Sequence, residues 1–167
     1  MRNPTTCLLL FILCFCRPVS LFSQEKKIYN PGADADADIR NMVSKAASEG
    51  KHVLLQAGGN WCGWCLEFAR FCKADTAISN LLDKNFIWYH LNYSKENMNE
   101  KVFARYGYPQ RFGFPVFIIL DSKGNRLHTQ NSEYLEDGNK SYDSKKVLAF
   151  LSMWTPHALD PATYRNE

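Results

Sequence analysis

The sequence predicts an α/β domain with a central mixed sheet flanked by helices and an N-terminal helical extension. Three observations predict it. The chain of 167 residues is long enough for one ordinary domain and too short for two. Short apolar runs alternate with segments of helical periodicity, the order expected of parallel strands covered on both faces. Near the end, two strand-like runs meet at a hairpin turn, which adds antiparallel pairing.

The elements follow in order. Gln24 to Asp38 is polar and loop-like, with Asn30-Pro31-Gly32 as a turn signal. Asp34, Asp36 and Asp38 alternate as in a calcium loop, but the sixth and twelfth positions hold Ile39 and Lys45 rather than Gly and Glu. The simpler expectation is that Asp38 caps a helix whose buried side carries Ile39, Met42, Val43, Ala46 and Ala47 and which Gly50 ends. His52 to Ala57 reads as a buried strand, and Gly58-Gly59-Asn60 as a turn. Cys62 to Cys72 is predicted helical, with a second helix over Thr76 to Lys84 after a break near Asp75. Phe86 to Asn92 is a strand, and Lys95 to Tyr106 a helix carrying Met98, Val102 and Tyr106 on one side. A loop with Gly107, Pro109 and Gly113 leads to the strand Val116 to Asp121, then a turn at Ser122–Asn125 into Arg126 to Thr129. Residues 131–142 form a polar excursion. Asp143 or Ser144 caps a last helix through Trp154, and residues 155–167 read as a tail. The strand–helix alternation argues a mostly parallel sheet.

Composition narrows the function classes. The formal net charge is +3, with no basic stripe, so no nucleic acid is expected as partner. No apolar run reaches the length of a spanning helix. Cys7 to Cys16 is a short apolar run after Arg2, followed by Arg17, Pro18 and a small residue at Ser23. This is the pattern of a secretory signal over residues 1–23, leaving a single domain over 24–167 with its core at about 51–155. An uncleaved anchor is the competing reading. Removal of Arg2 and Arg17 would bring the net charge to about +1. The expected location is outside the cytoplasm, in a bacterial periplasm.

Of the six cysteines, Cys7, Cys14 and Cys16 would leave with the signal, and Cys62, Cys65 and Cys72 remain. Three cysteines, two of them in C-x-x-C, do not make a disulfide framework. Trp61-Cys62-Gly63-Trp64-Cys65 follows a predicted strand and opens a predicted helix. Unpaired N–H groups and partial positive charge at a helix start favour a thiolate, so Cys62 is expected to be the nucleophile and Cys65 the resolving thiol. A closed zinc site would need two further ligands at matching spacing, and His52, His90, His128 and His157 are scattered. No metal and no organic cofactor is expected. A purely structural Cys62–Cys65 link would close almost no loop and stabilise little.

These residues resemble the thioredoxin superfamily, in the group of exported bacterial thioredoxin-like proteins with a W-C-x-x-C active site. The resemblance covers His52 to Trp154. A second motif supports it: Gly113-Phe114-Pro115-Val116 before a strand is similar to the family's cis-proline loop. The resemblance implies that Pro115 is cis and faces the cysteine pair, and that the Phe114 backbone pairs with an extended substrate segment. Trp61, Gly63, Trp64, Phe114 and Pro115 are then the expected substrate face. An ordinary trans proline at a strand start is the alternative for Pro115.

The chain also departs from that family. Many relatives carry a buried acid six residues before the first cysteine, where this chain has Gln56, and a lysine facing it, where this chain has His90. Either His90, or a water beside Gln56, relays the proton of Cys65, or His90 is a core residue hydrogen-bonded to Gln56. Trp64 stands where strong oxidants often carry His, which favours a reductase over an oxidant. Cys72 lies seven residues past Cys65, roughly 10 Å along a helix, too far to pair with it, and reads as a small buried hydrophobe. Tyr106, Tyr108, Phe112 and Phe114 line a groove or close the core.

The expected function is thiol–disulfide exchange on cysteines of exported proteins, with an unidentified redox partner to restore the pair. The alternative is a binding module or assembly factor with an idle or regulatory cysteine pair, to which the 131–142 excursion would contribute. Turnover of a model disulfide separates the two.

Overall fold

A computed structural model describes residues 27–165. The expected signal segment, with Cys7, Cys14 and Cys16, lies outside them. The chain runs α1 (Ala35–Glu49), β1 (His52–Gly58), α2 (Gly63–Ala74), α3 (Thr76–Asn85), β2 (Phe86–Asn92), α4 (Glu100–Arg105), β3 (Val116–Leu120), β4 (Arg126–Asn131) and α5 (Ser144–Met153). Short 3-10 turns at Pro109–Phe112, Ser132–Leu135, His157–Leu159 and Pro161–Tyr164 fill the connections and the tail.

The four strands form one sheet in the order β2-β1-β3-β4. β1 pairs parallel with β2, and antiparallel with β3, which pairs antiparallel with β4. The sheet is mixed, but the expectation of a mostly parallel sheet fails. β3 (VFIIL) is buried at every position, as parallel strands usually are, yet it runs against β1.

Alternation splits the core into two layers. Val53, Leu55, Ala57, Ile87 and Leu91 face α1 and α4. Leu54, Phe117 and Ile119 face α2, α3 and α5, in a cluster rich in aromatic rings. Phe68 is fully buried there and meets Trp88, Phe117 and Tyr142.

Three helix starts show how local chemistry sets the elements. Asp34, not Asp38, caps α1, accepting from the N–H groups of Asp36 and Ala37. Asp38 lies inside the helix and accepts from the Tyr89 hydroxyl instead. Asp75 ends α2 and caps α3, which explains the break between them. The expected helix from Lys95 begins only at Glu100. Ser94 and Asn97 close a reciprocal backbone turn, and Asn99 sits at φ 49°. Asparagine side chains are engaged elsewhere: Asn97 donates to the Pro31 carbonyl and Asn99 to that of Asn92. Such side-chain bonding competes with helix formation.

The 131–142 excursion is not a free loop. Leu135 and Tyr142 enter the core, and a bridge joins Glu136 to Tyr142. Asp143 then caps α5.

Candidate active site

β1 ends at Gly58, a three-residue turn follows, and α2 begins at Gly63 with Cys62 as its cap. The Cys65 N–H donates to Cys62 Sγ at 3.2 Å, the interaction a serine oxygen makes at an ordinary helix start. Cys62 and Cys65 form a disulfide with Cα atoms 5.2 Å apart. Cys62 is 5% exposed and Cys65 is fully buried, so an incoming reagent meets Cys62 first.

The turn is held rigidly. Trp61 Nε1 donates to the Tyr93 carbonyl at 2.8 Å, and the Tyr93 N–H to the Gly58 carbonyl at 2.6 Å. The rest of the Trp61 side chain remains on the surface, 60% exposed, edge-on to Phe114 with ring centroids 5.6 Å apart. Phe114 packs against the cysteine cluster, and the Phe114–Pro115 peptide is cis. Pro115 is buried and Gly63 exposed beside Cys62. Trp64 is half-buried: Tyr142 lies edge-on to it at 5.5 Å and donates from its hydroxyl to the Trp64 carbonyl. Of the four aromatic residues of the proline loop, Tyr106 closes the core, while Tyr108 and Phe112 are exposed.

Gln56 and His90 are partners in strand register, but they do not hydrogen-bond. Gln56 Nε2 donates to the Tyr29 hydroxyl oxygen at 2.8 Å and to the Cys65 carbonyl at 2.7 Å. The His90 ring lies edge-on to Tyr29, and its Nε2 is buried without a partner. Burial, and secondarily the Lys73 charge, pushes its pKa down to about 4. The His90 ring thus makes no hydrogen bond to Gln56 or to a cysteine sulfur through Nε2. Cys72 is buried in the aromatic layer and free, and burial raises its pKa.

The residue that sequence reasoning missed is Tyr29. It is 3% exposed and forms one cluster with Cys62 and Cys65. Its segment has the composition of a polar loop. The available signal was Asn60: its Oδ1 accepts from the Ile28 and Tyr29 N–H groups and its Nδ2 donates to the Tyr29 carbonyl. Gly58 makes room for this packing, because a methyl group there would collide with Cys65 Sγ and lie 3.0 Å from the Tyr29 hydroxyl.

Among the described residues no cluster of His, Cys, Asp and Glu is arranged to hold a metal ion, and no helix is long and apolar enough to cross a membrane.

A mixed sheet of this order, with a cysteine pair capping the helix after its central strand, is a thioredoxin-like fold. A family model described as thioredoxin-like matches residues 34–122, more than half of the chain. The chain belongs to that family. It is 25% identical over 96 residues to the thiol:disulfide interchange protein DsbD of Colwellia psychrerythraea, which covers 58% of this chain and 16% of that longer relative. Solved structures share the fold. A disulphide isomerase from Xylella fastidiosa superposes with a TM-score of 0.64 at 22% identity, covering 74% of this chain and 93% of that one. The oxidised C-terminal domain of DsbD from Neisseria meningitidis gives 0.54 at 17% identity, covering 73% and 97%.

Proposed function

We propose that this protein exchanges disulfides with cysteines of exported proteins and works as a reductase rather than an oxidant. The observation that carries the reading is the placement of Cys62 as the cap of α2, barely exposed, with Cys65 buried behind it. In the reduced protein the same cap geometry favours a Cys62 thiolate.

Cys62 attacks one sulfur of the substrate disulfide. That bond breaks, the second substrate sulfur leaves as a thiolate and takes up a proton, and a mixed disulfide forms. Cys65 then loses its proton and attacks Cys62 Sγ, and the remaining substrate sulfur departs. Two electrons have passed to the substrate, and the Cys62–Cys65 disulfide has closed. A partner dithiol reopens it by the reverse exchange. Trp61, Gly63, Trp64, Phe114 and Pro115 form the face on which substrate lies, with the Phe114 backbone available to an added strand. Trp64 provides no positive charge to stabilise the Cys62 thiolate, which supports the reducing direction. The signal-like residues 1–23 support export to a periplasm, and N-terminal sequencing of exported material tests it.

The test of direction is the reduction potential of the pair, equilibrated in glutathione or dithiothreitol buffers with free thiols trapped. A value near about −270 mV is expected. A value between about −120 and −180 mV overturns the direction and makes the protein an oxidant or isomerase. A pair that closes in no buffer overturns the enzyme reading and favours the binding module.

A further inference from the structure

The resolving cysteine needs help that the solvent cannot give. Cys65 is fully buried, and it must lose a proton to close the disulfide and leave as a thiolate when the disulfide is opened. The side chain that donates to its carbonyl is Gln56, which does not ionise. Gln56 turns its amide to the Cys65 carbonyl and the Tyr29 hydroxyl.

Tyr29 comes from outside the conventional fold. It precedes α1 and the residues that the family model matches. The strap that carries it is fastened twice: Asn60 holds the backbone of Ile28 and Tyr29, and Asn97 holds the Pro31 carbonyl at 3.0 Å. The hydroxyl accepts from Gln56 and forms no hydrogen bond as a donor among the described residues, and the nearby Gln56 Oε1 and His90 Nε2 are likewise buried without partners. The hydroxyl and Cys65 Sγ crowd the same point above Gly58, where a methyl group would lie 3.0 Å from the oxygen and collide with the sulfur. A buried donor without an acceptor is unfavourable, and a neighbouring sulfur gaining negative charge would satisfy it.

We propose that Tyr29 is the hydrogen-bond donor that stabilises the Cys65 thiolate during opening and closing of the disulfide, with Gln56 and Asn60 as the residues that position it. The assignment rests on the exchange chemistry of Cys62 and Cys65 proposed above. Tyr29 does not itself ionise in this role, since burial raises its pKa. The titratable groups facing it are Cys62 and Cys65 at α2, His90 on β2 and Tyr142 after the excursion, with Lys73 of α2 close enough to influence His90. His90 stays neutral and Tyr142, its pKa raised, stays protonated between about pH 6 and 9, so the cysteines are the groups that change charge beside the hydroxyl.

The test is Tyr29→Phe, which removes one oxygen and keeps the ring. The reduced protein is labelled at cysteine Cβ with carbon-13, Cys65 is assigned with a Cys65→Ser variant, and its titration is followed by NMR. Loss of a hydrogen bond to a thiolate should raise the Cys65 midpoint by about one pH unit or more. Closure of a preformed Cys62 mixed disulfide should slow about tenfold at neutral pH, the factor that one unit of thiolate ionisation carries. An unchanged midpoint overturns the proposal and leaves Tyr29 as packing. A second variant, Gln56→Leu, keeps the hydroxyl. If it raises the midpoint while Tyr29→Phe leaves it unchanged, the proposal is again overturned, because the amide and not the hydroxyl would be acting on Cys65. Neither readout requires a physiological substrate. A protein without turnover but with a shifted Cys65 would sink the proposed function and leave this inference standing.

Discussion

Helix α2 holds two kinds of cysteine at its two ends. At the start, Cys62 caps the helix, where the Cys65 N–H donates to its sulfur. Ten residues later Cys72 sits in the last turns, fully buried among Leu54, Phe68 and Ile78. Burial raises its pKa, and the negative charge of Asp75, which caps the next helix, raises it further. The same helix therefore offers a stabilised anion at one end and opposes one at the other. Reactivity here is a property of position on the helix rather than of the thiol.

The strongest way to break this comparison is to remove each sulfur. Cys62→Ser should lower turnover of a model disulfide by about a thousandfold or more, since the nucleophile is gone. Cys72→Ala should leave turnover within about twofold. Equal losses in both would show that Cys72 takes part in exchange. Alkylation sharpens the same point. In the reduced protein at about pH 8, iodoacetamide should modify Cys62 at least about a hundredfold faster than Cys72, whose reaction should follow global unfolding. Mass spectrometry of the modified peptides distinguishes them.

Two glycines extend the comparison to packing. A methyl group on Gly58 would collide with Cys65 Sγ and lie 3.0 Å from the Tyr29 hydroxyl, while one on Gly63 meets nothing within 4 Å. Gly58→Ala should destabilise the oxidised protein by about 3 kcal/mol, because the disulfide and the strap must shift. Gly63→Ala should change stability by no more than about 0.5 kcal/mol. Denaturant titration of both variants measures the difference.

What the sequence disclosed and what it hid divide along physical lines. β1, β2 and β3 were legible because each is a compact apolar run, and the break at Asp75 because a capping residue marks it. The cysteine pair was legible because strand, turn and helix start surround it. Strand direction was not: VFIIL has the same burial pattern whichever way it runs. The cover over Trp64 was not legible, because Tyr142, which provides it, lies 78 residues away in a stretch whose composition is polar. Tyr29 was hidden for the same reason. It stands in an aperiodic segment, and its place is set by Asn60, more than thirty residues on.

His90 gives the finest test, because it separates a residue that titrates from one that takes part in exchange. Its folded pKa lies near 4, below the value of about 6.5 for an unstrained imidazole. Between those values the unfolded chain binds a proton that the folded protein does not. Stability should therefore fall as pH drops from about 6.5 towards 4 and should be unaffected by this group above that window. His90→Gln should flatten that slope in melting experiments. It should leave the rate of disulfide exchange between about pH 6 and 9 unchanged, because the wild-type ring is already neutral there. A rate profile that moved with His90 would return this ring to the relay. A stability slope that vanished while the rate held would leave its effect in the fold, and the charge of Cys65 to the hydroxyl of Tyr29.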